Sequence, residues 1–314
     1  MLKTFLLIVV GLAGDPEHGK TFHTWGTTMA ESSARMGVAP EHMVYLVDAP
    51  AEGDKLVTGT STREEITKAI DAFSRQAGPD DVVLITLIGH GSFDSRAARF
   101  NLPGPDMTAA DFDALLKKLP SKQIVFVNAA SSSGPFVEAL SGPGRTIVTA
   151  TRNGAEQYAT LFGGFFVNAL SSETADADKN KRVSVLEAFN FARAEVARAY
   201  EREGLLATEH ALLDDNGDKE GSQTPGAAGK DGKISTDGRV ASIVSFGLAG
   251  NALPMDPKVR ALYEERIDKE RRVEQLRILK DSMPPAKYQA ELESLLRDIA
   301  RIREQIRAAE GIKP

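Results

Sequence analysis

Two short stretches of this 314-residue chain bring together side chains able to make and break bonds. An apolar run over residues 82–88 ends in Gly89-His90-Gly91-Ser92, and a second, over 124–127, ends in Asn128-Ala129-Ala130-Ser131-Ser132-Ser133-Gly134. A histidine flanked by glycines at the end of a buried strand suits a general base and acid, because its ring titrates near neutral pH and its backbone can approach a ligand closely. The alternative is a structural, hydrogen-bonded histidine. A serine hydroxyl becomes a nucleophile only beside a base, so Ser131 or Ser132 with His90 would make a hydrolase pair. The competing reading of residues 131–133 is a helix N-cap ahead of Pro135-Phe136-Val137. The chain has no cysteine, which excludes thiol chemistry, disulfides and thiolate-bound zinc.

A third stretch has the spacing of a cation loop. Asp176, Asp178, Asn180, Arg182, Ser184 and Glu187 fall at positions one, three, five, seven, nine and twelve of an EF-hand pattern, in which oxygen ligands wrap calcium and position seven contributes its backbone carbonyl. Lys181 stands where that pattern has glycine, removing the residue best suited to the turn and adding a positive charge near the ion. The other reading is an acidic loop capping a helix over 185–199, with Ser184 as N-cap. A further acidic group, Asp214, Asp215, Asn216, Asp218 and Glu220, is read as a turn, because it contains no spaced bidentate carboxylate. His210 beside it is read as structural, since no second histidine lies at zinc-ligand spacing.

The elements that must position these residues follow from the pattern of apolar runs. Strand-length runs occur at 4–11, 43–47, 82–88, 124–127, 146–150 and 240–248. Helical periodicity between them, as at 62–76 and 108–119, predicts a mainly parallel sheet of about six strands covered by helices on both faces. Ser61 or Thr62 before Glu64 and Glu65, and Thr108 before Asp111, are N-terminal caps. Lys3 followed by the apolar stretch 5–12 imitates a short signal peptide, but the run reads as the first strand. In such a sheet ligands bind beyond the carboxyl ends of the strands, where His90 and residues 128–134 fall.

An apolar strand ending in His-Gly, followed by another ending in a small residue, a nucleophile position and Ser-Gly, resembles the caspase and legumain clan of cysteine peptidases. The resemblance covers residues 1–250 by element order, and the two short motifs carry its specificity. It implies a caspase-like three-layer sandwich. It also implies that His90 is the general base and acid and that the Gly91 backbone helps to bind the oxyanion. Ala130 falls at the nucleophile position, Ser132 at the motif serine, and Asn128 at a position often acidic in relatives. A methyl group forms no acyl intermediate, so the chain is expected to be inert as a cysteine peptidase. Three explanations stay open: a natural pseudo-peptidase, a variant whose cysteine was replaced, or a hydrolase using Ser131 or Ser132.

After Pro257 the composition changes to dense Arg, Glu, Lys and Leu, marking a second region over 251–314. Tyr288, Leu292, Leu295, Ile299, Ile302 and Ile306 form a coiled-coil-like stripe, with Leu262, Ile267, Val273, Leu276, Leu279 and Met283 before it. Pro284-Pro285 divides the stretch into a helical hairpin that would serve docking or self-association. A net charge of −6 argues against nucleic acid, leaving a peptide or protein as partner. No run approaches a membrane span, no phosphate-binding glycine loop follows the first strand, and calcium is the one cofactor the sequence suggests. Compartment is left open between export and cytoplasm.

Overall fold

Residues Thr4–Val10 form β1, fully buried from Phe5 onward because apolar side chains point to both faces of the sheet. The computed structural model describes residues 3–172, 174–226, 237–247, 256–278 and 283–309, in two units, Met1–Leu248 and Ala249–Pro314.

Within the first unit the chain runs from β1 through α1 (Pro16–Ser32), β2 (Met43–Val47), β3 (Gly59–Thr60) and α2 (Arg63–Gln76) to β4 (Val82–Ile88). A small antiparallel sheet follows, made of β5 (Gly91–Phe93), β6 (Ala98–Phe100) and β7 (Met107–Thr108). The main sheet resumes with α3 (Ala109–Leu116), β8 (Gln123–Asn128), α4 (Phe136–Leu140), β9 (Arg145–Thr149) and α5 (Phe162–Ser171). Last come β10 (Arg182–Ser184), α6 (Val185–Glu203), β11 (Leu212–Asp214) and β12 (Ser245–Gly247).

The seven-stranded sheet has the order β11-β9-β8-β4-β1-β2-β3, parallel except for β11, which runs against β9. Alternate residues of each strand feed opposite layers. Leu6, Ile8, Leu84, Val125 and Val127 pack with Phe22, Phe162, Phe166 and Phe189 from α1, α5 and α6. Phe5, Leu7, Val83, Ile85 and Phe126 pack with Ile66, Phe73, Phe112 and Phe136 from α2, α3 and α4. Helices on both faces of a mostly parallel sheet make the α/β, caspase-like three-layer sandwich.

The helix starts carry the expected caps. Thr62 accepts from the Glu65 amide, and Thr108 with Asp111 and Ser184 with Glu187 form complete capping boxes. The run at 240–248 departs from expectation. Residues 237–243 form turns, only Ser245–Gly247 is extended, and it pairs with β10 outside the main sheet; Leu248 lies outside the described residues. The seventh strand is instead β11, three residues that extend the sheet through β9.

In the second unit α7 (Pro257–Ile278) and α8 (Pro285–Ala309) are separated at Pro284-Pro285. Val273, Leu276, Leu295 and Ile299 form one apolar cluster, with Met283, Tyr288 and Leu292 against it, so the α8 stripe from Tyr288 to Ile299 packs with α7, and Ile302 and Ile306 beyond it are also buried. Lys269 pairs with Asp298 at 2.7 Å and Arg303 with Glu270 at 2.9 Å along the seam. Leu279 lies outside the described residues. No described helix is long and apolar enough to cross a membrane.

Candidate active site

β1 lies between β2 and β4, so successive connections leave it in opposite directions, and the crevice at this switch point lies beyond the carboxyl ends of β1 and β4. His90 sits there, one residue past Gly89 at the end of β4. Backbone crowding accounts for the glycines. A side chain at Gly11 would meet the Asn101 carbonyl at 2.4 Å, and one at Gly91 would meet the Ser131 carbonyl at 2.3 Å. The His90 ring is half-buried, 5.1 Å from the Phe22 ring and 4.9 Å from His18, whose Nδ1 lies 2.6 Å from Asp15 Oδ2. Burial, then the neighbouring His18, lowers the His90 pKa, against an opposing hydrogen bond with the Ala13 backbone. The ring is thereby kept in the neutral form that a general base requires. Beside it, an open cleft of about 720 Å³ is lined by Leu12, Gly14, Asp15, Lys20, His23 and Asp48.

The adjacent strand end is closed. Asn128 finishes β8, and its Oδ1 accepts from the Ala130 amide at 3.1 Å. Ala130 is fully buried, its methyl 3.5 Å from where a Cβ on Gly91 would stand. Ser131 Oγ accepts from the Gly91 amide and donates to the Gly91 carbonyl, both at 3.1 Å. The amide expected to face an oxyanion would therefore be released only if that hydroxyl turned away. Ser132 has a left-handed φ of 54° and donates its hydroxyl to the Gly154 carbonyl at 3.0 Å. Ser133 Oγ lies 3.1 Å from Thr151 Oγ1, which accepts from the Gly134 amide at 2.9 Å.

These bonds correct the reading of residues 131–133 as a helix cap. α4 begins beyond Pro135 with no side-chain cap, because the three hydroxyls are spent on Gly91, Gly154 and Thr151. The structure thus brings Gly91, Ala130 and Ser131 together, while the Ser131 and Ser132 hydroxyls bond to backbone carbonyls and not to His90.

The loop after β9 supplies charged groups that sequence reading passed over. The Glu156 carbonyl accepts from the Ser132 amide at 2.8 Å. Its carboxylate takes the Arg152 side chain at 3.0 Å and His210 Nδ1 at 2.6 Å. Glu209 is buried and accepts from the Leu161 and Phe162 amides at the start of α5; burial pushes its carboxyl above the ordinary range. The four-residue spacing of Arg152 and Glu156 was the one signal available, whereas the His210 contact spans 54 positions. Thr149 and Thr151 are fully buried.

Residues 59–212 match the model of the Peptidase C13 family. The matched segment runs from β3 to the first residue of β11 and holds His90, Gly91 and the whole of 128–134. No curated protein matches the chain. Within the C13-like segment, His90 lies half-buried past the end of β4 and the Ala130 methyl is buried past the end of β8.

Asp176, Asp178 and Glu187, also inside the C13-like segment, place one carboxylate oxygen each within 4.8 Å of one another. Their oxygens already hold the loop together. Asp176 accepts from the Asn180 and Lys181 amides, and Glu187 from Ala177, Asp178 and Ser184. Asn180 Oδ1 accepts from the Arg182 amide at 2.8 Å. Lys181 adopts the left-handed φ of 65° that the missing glycine would have favoured, a conformation that costs a side-chain-bearing residue about 1–2 kcal/mol. Ser184 and Glu187 together cap α6, as the alternative reading had it.

Proposed function

We propose that this chain is a legumain-like pseudo-peptidase whose crevice holds a peptide or protein segment without cleaving it. The observation that carries this reading is Ala130. It occupies the end of β8 against Gly91, fully buried, while His90 remains half-open at the neighbouring strand end. A base without a nucleophile can polarise or hydrogen-bond a bound group but cannot form an acyl-enzyme. The committed hydroxyls of Ser131 and Ser132 favour this reading over a serine hydrolase, which would need one of them to leave a backbone carbonyl for His90. Loop 176–187, with ligands Asp176, Asp178, Asn180, Arg182, Ser184 and Glu187, is retained as a calcium loop that orders the approach to α6.

A second reading is favoured by the family match: a cysteine endopeptidase in which alanine stands at the nucleophile position. One assay separates the two. The chain and its Ala130→Cys variant are incubated with a peptide library, with and without millimolar calcium. The pseudo-peptidase reading expects retained, uncleaved peptides for the chain as it stands. Cleavage by the variant alone supports the inactivated-peptidase reading, and cleavage by the unmodified chain would overturn both in favour of a serine.

A further inference from the structure

A different acidic group has the stronger case for an ion. We propose that Asp214, Asp218 and Asp237 form a calcium site that staples the loop after β11 to the turn preceding β12. One carboxylate oxygen from each lies within 4.8 Å of the other two, although Asp237 is 23 positions from Asp214. Asp214 and Asp237 are buried, at 1% and 4% exposure, and Asp218 is open to solvent, giving an ion a way in.

The observation that points to a ligand is on Asp214. Its Oδ1 accepts from the Gly217 amide at 3.0 Å, but its Oδ2 is buried with no hydrogen-bond partner among the described residues. A buried carboxylate oxygen without a donor is costly, and a cation is the partner that repays the cost. No basic side chain pairs with Asp214 or Asp218 among the described residues. Asp218 accepts from the Glu220 amide and the Asn216 side chain, and Asp237 from the Asp215 amide. The orphaned oxygen of Asp214 is therefore what sets this group apart from loop 176–187, where no buried carboxylate oxygen among the described residues is without a donor.

An all-carboxylate, oxygen-only set assembled from two loops suits a hard cation that tolerates irregular geometry, which favours calcium over magnesium. Asp215 already joins the same two segments, accepting from the Gly238 and Ala241 amides at 2.9 and 2.7 Å. The ion would therefore tighten a connection the backbone has begun. Through the pairing of Asp214 with Ile147 it would also brace β9, the strand that leads into Thr151.

The test is calorimetric titration of the full chain with calcium and with magnesium, alongside Asp218→Asn and Asp178→Asn. Asp218 is exposed, so its variant keeps the fold, which circular dichroism verifies. The expected result is a calcium-binding event, separate from any at loop 176–187, whose affinity falls by at least about tenfold in Asp218→Asn and is kept in Asp178→Asn. No calcium bound by the unmodified chain at millimolar concentration, or binding unchanged in Asp218→Asn, would overturn the site. Magnesium binding at least as tightly would overturn the assignment to calcium.

Discussion

The two adjacent strand ends of the crevice have opposite characters. At the end of β4, His90 is half-open, lies against aromatic rings and titrates. At the end of β8, Ala130 and Ser131–Ser133 are almost wholly buried, and each serine hydroxyl is engaged. One edge keeps a group that can exchange protons with a ligand; the other has become a packed seam joining residues 130–134 to Gly91 and to 151–156. The methyl of Ala130 fits this seam by its volume, lying 3.5 Å from where a Cβ on Gly91 would stand. The seam can be broken directly, and the largest effect is expected where backbone meets backbone. A Cβ at Gly134 would lie 2.3 Å from both the Arg152 carbonyl carbon and the Asn153 nitrogen. Gly134→Ala is expected to destabilise the first unit by about 3 kcal/mol or more, read by urea unfolding. A loss under about 1 kcal/mol would mean that the two loops are not clamped together.

A smaller effect is expected at the hydroxyl that links the same loops. Thr151 Oγ1 accepts from the Gly134 amide and lies 3.1 Å from Ser133 Oγ, all buried. Thr151→Val keeps the shape but removes the acceptor, leaving a buried amide unpaired, at a cost of about 1–3 kcal/mol. Thr151→Ser keeps the acceptor and should recover most of that loss in the same unfolding measurement. Equal losses for serine and valine would attribute the effect to the methyl group and its packing.

The two edges also differ in how far sequence exposes them. Strands of continuous apolar residues announce themselves, and β1, β2 and β4 fall within a residue of expectation. Caps such as Thr108 with Asp111 are local and carry a fixed spacing. His90 and 128–134 stand out because each ends such a strand. What escaped was non-local: the serine hydroxyls looked like a cap because their true partners, Gly91, Gly154 and Thr151, are 18 to 40 positions away. The run at 240–248 has strand composition but lies outside the main sheet, whose edge is taken by the three residues of β11. Asp214 looked like part of a turn because Asp237 joins it only through the fold.

The histidine edge offers the finest test, because its signature is a pH dependence of small size. Burial and the nearby His18 disfavour the imidazolium of His90, so its folded pKa lies below the unfolded value of about 6.5. In the interval between the two values the unfolded chain binds more protons, so stability rises with pH across it. His90 therefore lowers stability as pH falls from about 6.5 towards its folded pKa, and below that the penalty stays constant. His90→Asn should flatten this part of the stability profile, while the Ser132→Ala profile stays parallel to that of the unmodified chain. A nuclear magnetic resonance titration of the His90 ring gives the sign independently. A midpoint at or above about 6.5 would show that the Ala13 bond and Asp15 outweigh burial, and would remove the expected rise of stability with pH.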